Sequence, residues 1–289
     1  MSTRDFDEHS ITQAVLDRFA NTPDPRLKQV LQSLVRHAHD FVRDVDLSMD
    51  EWLEAIMFLT RTGQISDDKR QEFILLSDTL GISMLVDAIN HRMPEGATET
   101  TVLGPFYVQN PPELSNGADI SGGEEGVPLH VAAVVTSPDG KPLANAVVDV
   151  WQSDDDGFYD VQRPEIEGAN LRARFRTDAA GRMAFWTIVP KFYPIPADGP
   201  VGDMLAATNR HPFRPAHIHF MIAAAGYETL VTHLFIDNDP YLDSDAVFGV
   251  KQSLIVTLDE HDGGSAPENR SMAGPWKSLE HHFGLKPQR

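Results

Sequence analysis

The spacing of hydrophobic residues changes once along this chain, near residue 95. Before that point apolar residues recur at helical spacing, as in "RLKQVLQSLVRHAHDFV", where they form a stripe from Leu27 to Val42. After "MPEGATETT", short β-rich runs such as "VPLHVAAVV", "AVVDVWQ" and "AHIHFMIAA" alternate with Pro and Gly. Many short strands joined by turn residues are typical of a β-sandwich. We therefore expect an α+β protein, with helices in residues 1–100 and a mainly antiparallel β-sandwich in residues 101–289.

Capping residues mark the expected helix ends. Ser10 with Gln13, and Ser48 with Glu51, have the spacing of a capping box. Gly81 separates two further helical segments, "DDKRQEFILLSDTL" and "SMLVDAIN". By contrast, "PKFYPIPADGPVGDMLAATNRHPFRP" is rich in Pro and Gly, and we expect one long irregular loop. Loops of this length in compact domains are often functional.

Composition excludes several classes of site and partner. With 24 basic and 43 acidic residues the formal charge is −19, which disfavours binding to nucleic acid. The chain has no cysteine, so disulfides and zinc–thiolate sites are excluded, and a metal would need His, Tyr, Asp or Glu. No run approaches the ~20 apolar residues of a membrane span, and "MSTRDFDEHS" lacks the apolar core of a signal peptide. We expect a soluble cytoplasmic protein without membrane insertion.

Two histidines and two tyrosines are the candidate metal ligands. His217 and His219 in "RPAHIHF" point to one face of a predicted strand. That arrangement suits two imidazoles on one metal, and equally a buried hydrogen-bonded pair. Tyr159 in "DDDGFYDVQ" follows a strand, and Tyr193 in "VPKFYPIP" opens the long loop. Each tyrosine alone is typical of half-buried packing, but two phenolates with two imidazoles favour ferric iron over zinc or copper.

The chain resembles the intradiol ring-cleaving dioxygenases, the catechol 1,2-dioxygenase group, in "LGPFYV", "VDVWQSDDDGFYD", "LRARFRTDAAGRMAFWTIVP", "YPIPADGPVGDML" and "RPAHIHF". The resemblance covers most of the chain. It implies one Fe(III) per subunit, bound by Tyr159, Tyr193, His217 and His219 with a hydroxide as fifth ligand. It also implies a homodimer formed through the N-terminal helices, which in relatives hold a phospholipid, and a small aromatic diol or triol as the substrate cleaved with O2.

The resemblance also implies roles for residues around the metal. Tyr193 would leave the metal when the diol binds and act as a base, since it lies at the head of a loop. Arg214, with its permanent charge, would stabilise negative charge on the substrate ring; the alternatives are a surface arginine and an ion pair within the sandwich. His233 stands where catechol-cleaving relatives tend to have glutamine. We expect it to hydrogen-bond beside the ligands, with direct metal binding as the alternative.

Asp78, in "LLSD", is the expected determinant of substrate choice. Within the family, "ATETTVLGPF", "LLSD" and "YPIPADGPVG" are most similar to the group that cleaves hydroxyquinol, benzene-1,2,4-triol. Alignment with that group places Asp78 and Leu75 over the substrate ring, where a carboxylate would accept a hydrogen bond from the third hydroxyl; the alternative is a helix-terminal acid facing water. The other implied pocket walls are Gly104, Pro105, Phe106, Ile195, Pro196 and Val247.

Three other functions compete with this hypothesis. A catechol or chlorocatechol 1,2-dioxygenase would share every ligand and differ only in its pocket. A transthyretin-like binding module without metal would explain the sandwich but not the four ligands together with Arg214. A helical dimerisation scaffold would explain only the residues up to about 95.

Overall fold

Five helices precede the first strand in the computed structural model, which describes residues 4–67 and 70–288. Asp24 starts the second helix by accepting hydrogen bonds from the backbone N–H groups of Arg26 and Leu27, at 2.8 and 3.1 Å. The break at Gly81 is confirmed, and its φ of 72° is one that glycine adopts without strain. The helices are α1 Ile11–Arg18, α2 Pro25–Asp44, α3 Met49–Ile65, α4 Glu72–Thr79 and α5 Ile82–Asn90.

One predicted capping box is present and the other is wrong. Ser48 donates its hydroxyl to the Glu51 carboxylate at 2.7 Å, and the backbone N–H of each residue donates to the side-chain oxygen of the other. Ser10 makes no such bond at the start of α1. Its hydroxyl instead donates to the Asp7 carboxylate at 2.6 Å, because Asp7 lies three residues upstream in a turn.

The chain forms two compact units, Met1–Gln64 and Ile65–Arg289. No residue of α2 is buried, and its predicted apolar stripe includes Leu34 and Phe41, which are 60% and 56% exposed. The stripe is therefore largely exposed in the isolated chain and forms no part of a buried core. The expected division into residues 1–100 and 101–289 stays a prediction about domains.

Two sheets build the second unit. One has the strand order β10-β13-β1-β4, and the other has the order β3-β2-β7-β8-β9. Pairing is mainly antiparallel, as predicted, except that β1 pairs with β13 and β8 with β9 in parallel. The strands are β1 Pro128–Thr136, β2 Val147–Gln152, β3 Arg172–Arg176, β4 Arg182–Ile188, β5 Tyr193–Pro194, β6 Phe213–Arg214, β7 His217–Ala223, β8 Leu230–Ile236, β9 Ile255–Val256, β10 Asp259–His261, β11 Gly264–Ala266, β12 Arg270–Met272 and β13 Trp276–Gly284.

One hydrophobic core joins the two sheets, which makes the unit a β-sandwich. Phe175 of β3 stacks on Phe185 of β4 with ring centroids 5.3 Å apart, and Phe220 of β7 packs on Phe283 of β13 at 4.8 Å. All four rings are fully buried. The sandwich is therefore a rigid base on which the ends of the strands hold side chains at fixed positions.

The long Pro/Gly-rich stretch is less irregular than expected. It contains the helix α6, Pro200–Ala207, whose first residue is a proline and whose Val201 and Leu205 are buried. It also contains the two-residue strands β5 and β6, which pair with each other. In the part of the chain that the structure describes, no helix is long and apolar enough to cross a membrane.

Candidate metal centre and active site

His217 and His219 lie on one face of β7 and are completely buried. Their Nε2 atoms are 3.1 Å apart. Nδ1 of His217 donates to the Pro215 carbonyl at 2.7 Å, which leaves the lone pair on Nε2. Burial lowers the pKa of both imidazoles well below the ordinary value, so both rings are neutral and able to bind a metal.

Tyr159 reaches the same point from a tight turn that follows β2. Asp154 forms this turn by accepting the backbone N–H groups of Asp156 and Phe158, each at 2.9 Å. Gly157 has a φ of 88°, and a Cβ there would lie 2.9 Å from a backbone oxygen, so only glycine fits. The turn places the Tyr159 hydroxyl 2.9 Å from Nε2 of His219.

Tyr193 and Arg214 lie opposite each other, because β5 pairs with β6 in the register that joins these two residues. The rings of Tyr193 and Tyr159 meet edge to face with centroids 5.2 Å apart. Nη1 of Arg214 lies 3.4 Å from Nε2 of His217. The structure therefore brings together both predicted tyrosines, both predicted histidines and the predicted arginine.

His233 joins this group from β8, where it pairs with His219. One ring nitrogen from each of His217, His219 and His233 lies within 4.8 Å of the others. The rings of His233 and His217 are stacked, 4.7 Å apart and 25° from parallel, and Nδ1 of His233 lies 3.5 Å from Nη2 of Arg214. The His233 ring therefore lies beside the His217 ring, with a nitrogen close to those of the two predicted ligands.

Two further predicted pocket residues pack directly on the tyrosines and histidines. Phe106 stacks on Tyr159 with centroids 4.4 Å apart. Gly104 lies against His219, whose Cε1 would be 3.3 Å from a Cβ at that position. Pro105 is exposed in the turn between them. This turn therefore covers one side of the candidate centre.

Most of the remaining predicted pocket residues belong to one apolar cluster. Leu75 of α4 packs against a buried group formed by Ile195, Leu205, Ala246 and Val247. Pro196 is half-buried next to Ile195. The long loop and the segment near Val247 thus meet against α4, while their role as a pocket wall stays a prediction.

Asp78 lies on α4 and is only 8% exposed, so the alternative of an acid facing water is wrong. Burial raises the pKa of Asp78 above its ordinary value, and the charge of Asp245 raises it further, whereas Ser83 and Arg214 lower it. Those charge interactions place the carboxyl near Arg214. Among the described residues the Asp78 carboxyl makes no ion pair. It is therefore suited to accept a hydrogen bond from a neutral polar group of a ligand.

Comparison with known proteins agrees with this geometry. Residues 102–285 match the family model "Dioxygenase", and residues 24–98 match "Catechol dioxygenase N terminus". The chain belongs to the intradiol ring-cleavage dioxygenase family. It is 57% identical to a 6-chlorohydroxyquinol 1,2-dioxygenase of Cupriavidus pinatubonensis, covering 87% of this chain and 91% of that one. It is 50% identical to a hydroxyquinol 1,2-dioxygenase of Rhodococcus opacus, covering 98% and 95%.

Solved structures give the same relationship. The crystal structure of hydroxyquinol 1,2-dioxygenase from Pseudomonas putida DLL-E4 superposes with a TM-score of 0.92 at 52% identity, covering 97% of this chain and 99% of that chain. Membership of an enzyme family argues against a metal-free binding module, and the match of both family models argues against a helical scaffold.

Intradiol dioxygenases imply iron, and the buried donor set fits a cation. Metal–imidazole bonds of about 2.1 Å place two nitrogens at right angles about 3.0 Å apart, close to the 3.1 Å between the two Nε2 atoms. Burial and the neighbouring Tyr193 raise the pKa of Tyr159 well above its ordinary value, so a phenolate here needs a cation beside it. The two neutral imidazoles and two phenol groups that converge here therefore fit a bound metal cation.

Two residues that support this intradiol site were missed by the sequence analysis. Asp245 is buried and accepts from Nε of Arg214 at 3.1 Å, while the backbone N–H groups of Val247 and Gly249 bind its carboxylate. Burial opposes the charge of Arg214, but Asp245 holds the pKa of the guanidinium above its ordinary value. Trp151 stacks on His219 at 4.5 Å. Asp245 had no local signal in the sequence. Trp151 lies in the quoted stretch "VDVWQSDDDGFYD", but its position opposite His219 follows only from the strand register in the structure.

A buried ion pair after Tyr159 supports the dioxygenase site and yields a stability prediction. Arg172 donates to the Asp160 carboxylate through Nε at 2.6 Å and through Nη2, and Nη1 donates to the Phe106 carbonyl at 2.9 Å. Arg172→Met is expected to destabilise the protein by about 3–5 kcal/mol, because it leaves the buried Asp160 charge without a partner. Urea denaturation measures this change.

The matched control lies on the same strand. Arg176 pairs with Glu113 in solvent, with side chains 48% and 50% exposed, so Arg176→Met is expected to cost at most about 1 kcal/mol. Equal losses in the two variants would contradict the structural role assigned to the Arg172 pair.

Proposed function

We propose that this protein cleaves hydroxyquinol with O2 between the two adjacent hydroxyl-bearing carbons, giving 3-hydroxy-cis,cis-muconate (maleylacetate). The observation that carries the proposal is the buried carboxyl of Asp78, which interacts with the charge of Arg214, the arginine that lies beside His217. The relatives named for hydroxyquinol and 6-chlorohydroxyquinol support the substrate class.

The metal in this proposal is one Fe(III) per subunit, held by Tyr159, Tyr193, His217 and His219. Phenolates are hard anionic donors and favour a ferric ion over softer divalent metals. When bound, a ferric ion would withdraw electron density from a chelated diol and make its ring carbon reactive toward O2. His233 is proposed as a neighbour of the ligands, because its ring stacks on His217 and faces Arg214.

The protein's own groups would bind the diol, move its protons and balance its charge. Tyr193 lies on a strand of only two residues, so its hydroxyl can move without disturbing the sandwich. We assign its Oη as the base that takes a proton from a substrate hydroxyl. Arg214, fixed by Asp245, would stabilise negative charge that develops on the ring. Phe106, Leu75, Ile195 and Val247 would exclude water from it.

Asp78 would select the substrate by accepting a hydrogen bond from the third hydroxyl of hydroxyquinol. A site that hydrogen-bonds one hydroxyl rejects analogues without it strongly, because the buried polar group is then left without a partner. Catechol lacks this hydroxyl, and so do chlorocatechols. A pocket without such a carboxyl would have no reason to prefer the triol.

Oxygen uptake measured side by side with hydroxyquinol, catechol and 4-chlorocatechol tests the proposal. We expect the highest kcat/KM with hydroxyquinol. Faster turnover of catechol or of 4-chlorocatechol would instead assign the protein to the catechol-cleaving or chlorocatechol-cleaving branch. No uptake with any of the three by iron-loaded protein would contradict the whole assignment.

We further propose a homodimer formed through the N-terminal helices, with phospholipid bound among their apolar side chains. Soluble monomers rarely expose large contiguous apolar patches. On α3, Trp52, Leu53 and Met57 are 46–52% exposed, and Met49 is 75% exposed. Mass spectrometry of an organic extract of the purified protein tests for the lipid; an extract without phospholipid would contradict that part.

The dimer leads to a prediction for α2. Leu34→Asp with Phe41→Asp is expected to yield a monomer in analytical ultracentrifugation, because the two residues are seven apart on one exposed face and a buried charge opposes association. Wild type is expected at twice the 32.1 kDa chain mass. Arg36→Asp, on the other side of α2, is the control and should stay dimeric. A wild-type monomer, or a dimer that survives the double change, would contradict this interface.

A further inference from the structure

Arg210 holds the last turn of α4 to another part of the pocket wall. Its Nη1 donates to the Thr79 carbonyl at 2.8 Å, and its Nη2 donates to the Ala246 carbonyl at 3.3 Å. Its guanidinium carbon lies 5.3 Å from the centre of the Phe248 ring. Thr79 directly follows Asp78, and Ala246 directly precedes Val247. The Arg210 side chain therefore links the backbone beside Asp78 to the backbone beside Val247.

The backbone around Arg210 is itself fixed. Asn209 has a φ of 55°, and its N–H bonds to the Ala206 carbonyl while the N–H of Arg210 bonds to the Leu205 carbonyl at 2.8 Å. This is a Schellman motif at the end of α6. The guanidinium meets the end of α4, where carbonyls have no partner inside the helix and a positive charge is favoured.

The first turn of α4 is held to the same helix. The Glu72 carboxylate is completely buried and accepts the backbone N–H of Val201, in the first turn of α6, at 3.1 Å. Between the two attachments, Leu75 packs on Leu205 and Val247. Both ends of α4 are therefore hydrogen-bonded to α6 or to the residues that directly follow it. The position of α4 depends on these polar contacts as well as on packing.

We propose that Arg210 is a positioning residue for substrate selection, which holds Asp78 at hydrogen-bonding distance from the third hydroxyl of the triol. The proposal rests on the proposed function of Asp78. The hydrogen bonds of Arg210 run to Thr79 and Ala246 and not to the candidate ligands or Arg214. Its loss would let the last turn of α4 shift while the iron site stays intact, and a shift of about 1 Å can cost up to about 100-fold in rate.

The test is a double-mutant cycle on the ratio of kcat/KM for hydroxyquinol to kcat/KM for catechol. Arg210→Met is expected to lower this ratio about 10-fold or more, by lowering kcat/KM for hydroxyquinol and leaving that for catechol nearly unchanged. In protein that already carries Asp78→Ala, the same change is expected to alter the ratio less than about 2-fold, because the group being positioned is gone. Iron content and the phenolate-to-iron absorption should equal those of wild type.

Two results would overturn the proposal. One is an equal loss with both substrates, the mark of a merely structural role; the other is an undiminished Arg210→Met effect in the Asp78→Ala protein. Should Arg210→Met fail to fold, Arg210→Lys carries the test, because an ammonium does not span both carbonyls as the planar guanidinium does; a wild-type ratio in that variant overturns the proposal. A wild-type enzyme without preference for hydroxyquinol defeats the proposed function itself, and with it the role of Arg210.

Discussion

His219→Ala is expected to lower the affinity of the protein for iron by at least about 100-fold, since even residues that only support a ligand cost about 10–100-fold. It is also expected to remove the reddish colour that phenolate-to-iron absorption would give the iron-loaded protein. His219 is completely buried and its Nε2 meets both Tyr159 and Nε2 of His217. Removing it leaves a cavity where two donors converged. Metal analysis of the purified protein and its visible absorption spectrum measure the loss independently of activity.

His233→Gln is the matched control, because His233 is equally buried and pairs with His219 on the neighbouring strand. It should keep its iron and its colour if His233 lies beside the ligands. Full iron content in His219→Ala, or an equal loss in both variants, would contradict the proposed ligand set.

Asp78→Ala is expected to reduce the preference for hydroxyquinol over catechol by at least about 100-fold. The carboxyl is buried, hydrogen-bonds to Ser83 and has no ion pair among the described residues, so its remaining acceptor positions are available to a ligand. Removing it takes away the partner of the third hydroxyl but touches no residue that catechol needs. Steady-state oxygen uptake over a range of each substrate gives the two kcat/KM values.

Asp87→Asn is a suitable control for Asp78→Ala. Asp87 is equally buried, but its carboxylate bonds to His91, Thr100 and Lys251. Its replacement should leave the substrate ratio unchanged even if the protein is less stable. An unchanged ratio in Asp78→Ala would remove Asp78 from the account of specificity.

Local patterns predicted the parts of the site that are local. The two-residue period of a strand puts His217 and His219 on one face, and the turn residues of "DDDGFYD" mark the bend that carries Tyr159. The fold class and the break at Gly81 followed from the hydrophobic period and from glycine. The resemblance to a family brought these separate residues into one site before any distance was known.

Contacts between distant segments could not be predicted in the same way. Asp245 stands 31 residues from Arg214, and nothing in "DSDAVF" distinguishes it from a solvated acid. Arg210 reaches Thr79 across 131 residues. Both pairs exist because the loop, α4 and the segment before Val247 meet in the folded protein. The local spacing of hydrophobic residues does not predict such a meeting.

Among the secondary-structure elements that the sequence analysis missed, two were missed for identifiable reasons. The strand β13 places Trp276, Leu279 and Phe283 in the core, but their spacing of three and four residues does not alternate. It pairs in parallel with β1, a strand about 150 residues earlier in the sequence. The helix α6 lies among prolines and glycines, and Pro200 at its first position starts the helix rather than preventing it.

The most direct test of the central claim is to supply the iron-loaded protein with hydroxyquinol and ¹⁸O2 and to identify the product by mass spectrometry. Cleavage between the two adjacent hydroxyl-bearing carbons predicts 3-hydroxy-cis,cis-muconate, or the maleylacetate it forms, with label in its new carboxyl groups. A product cut outside that pair of carbons, or oxygen uptake without ring opening, would contradict the account.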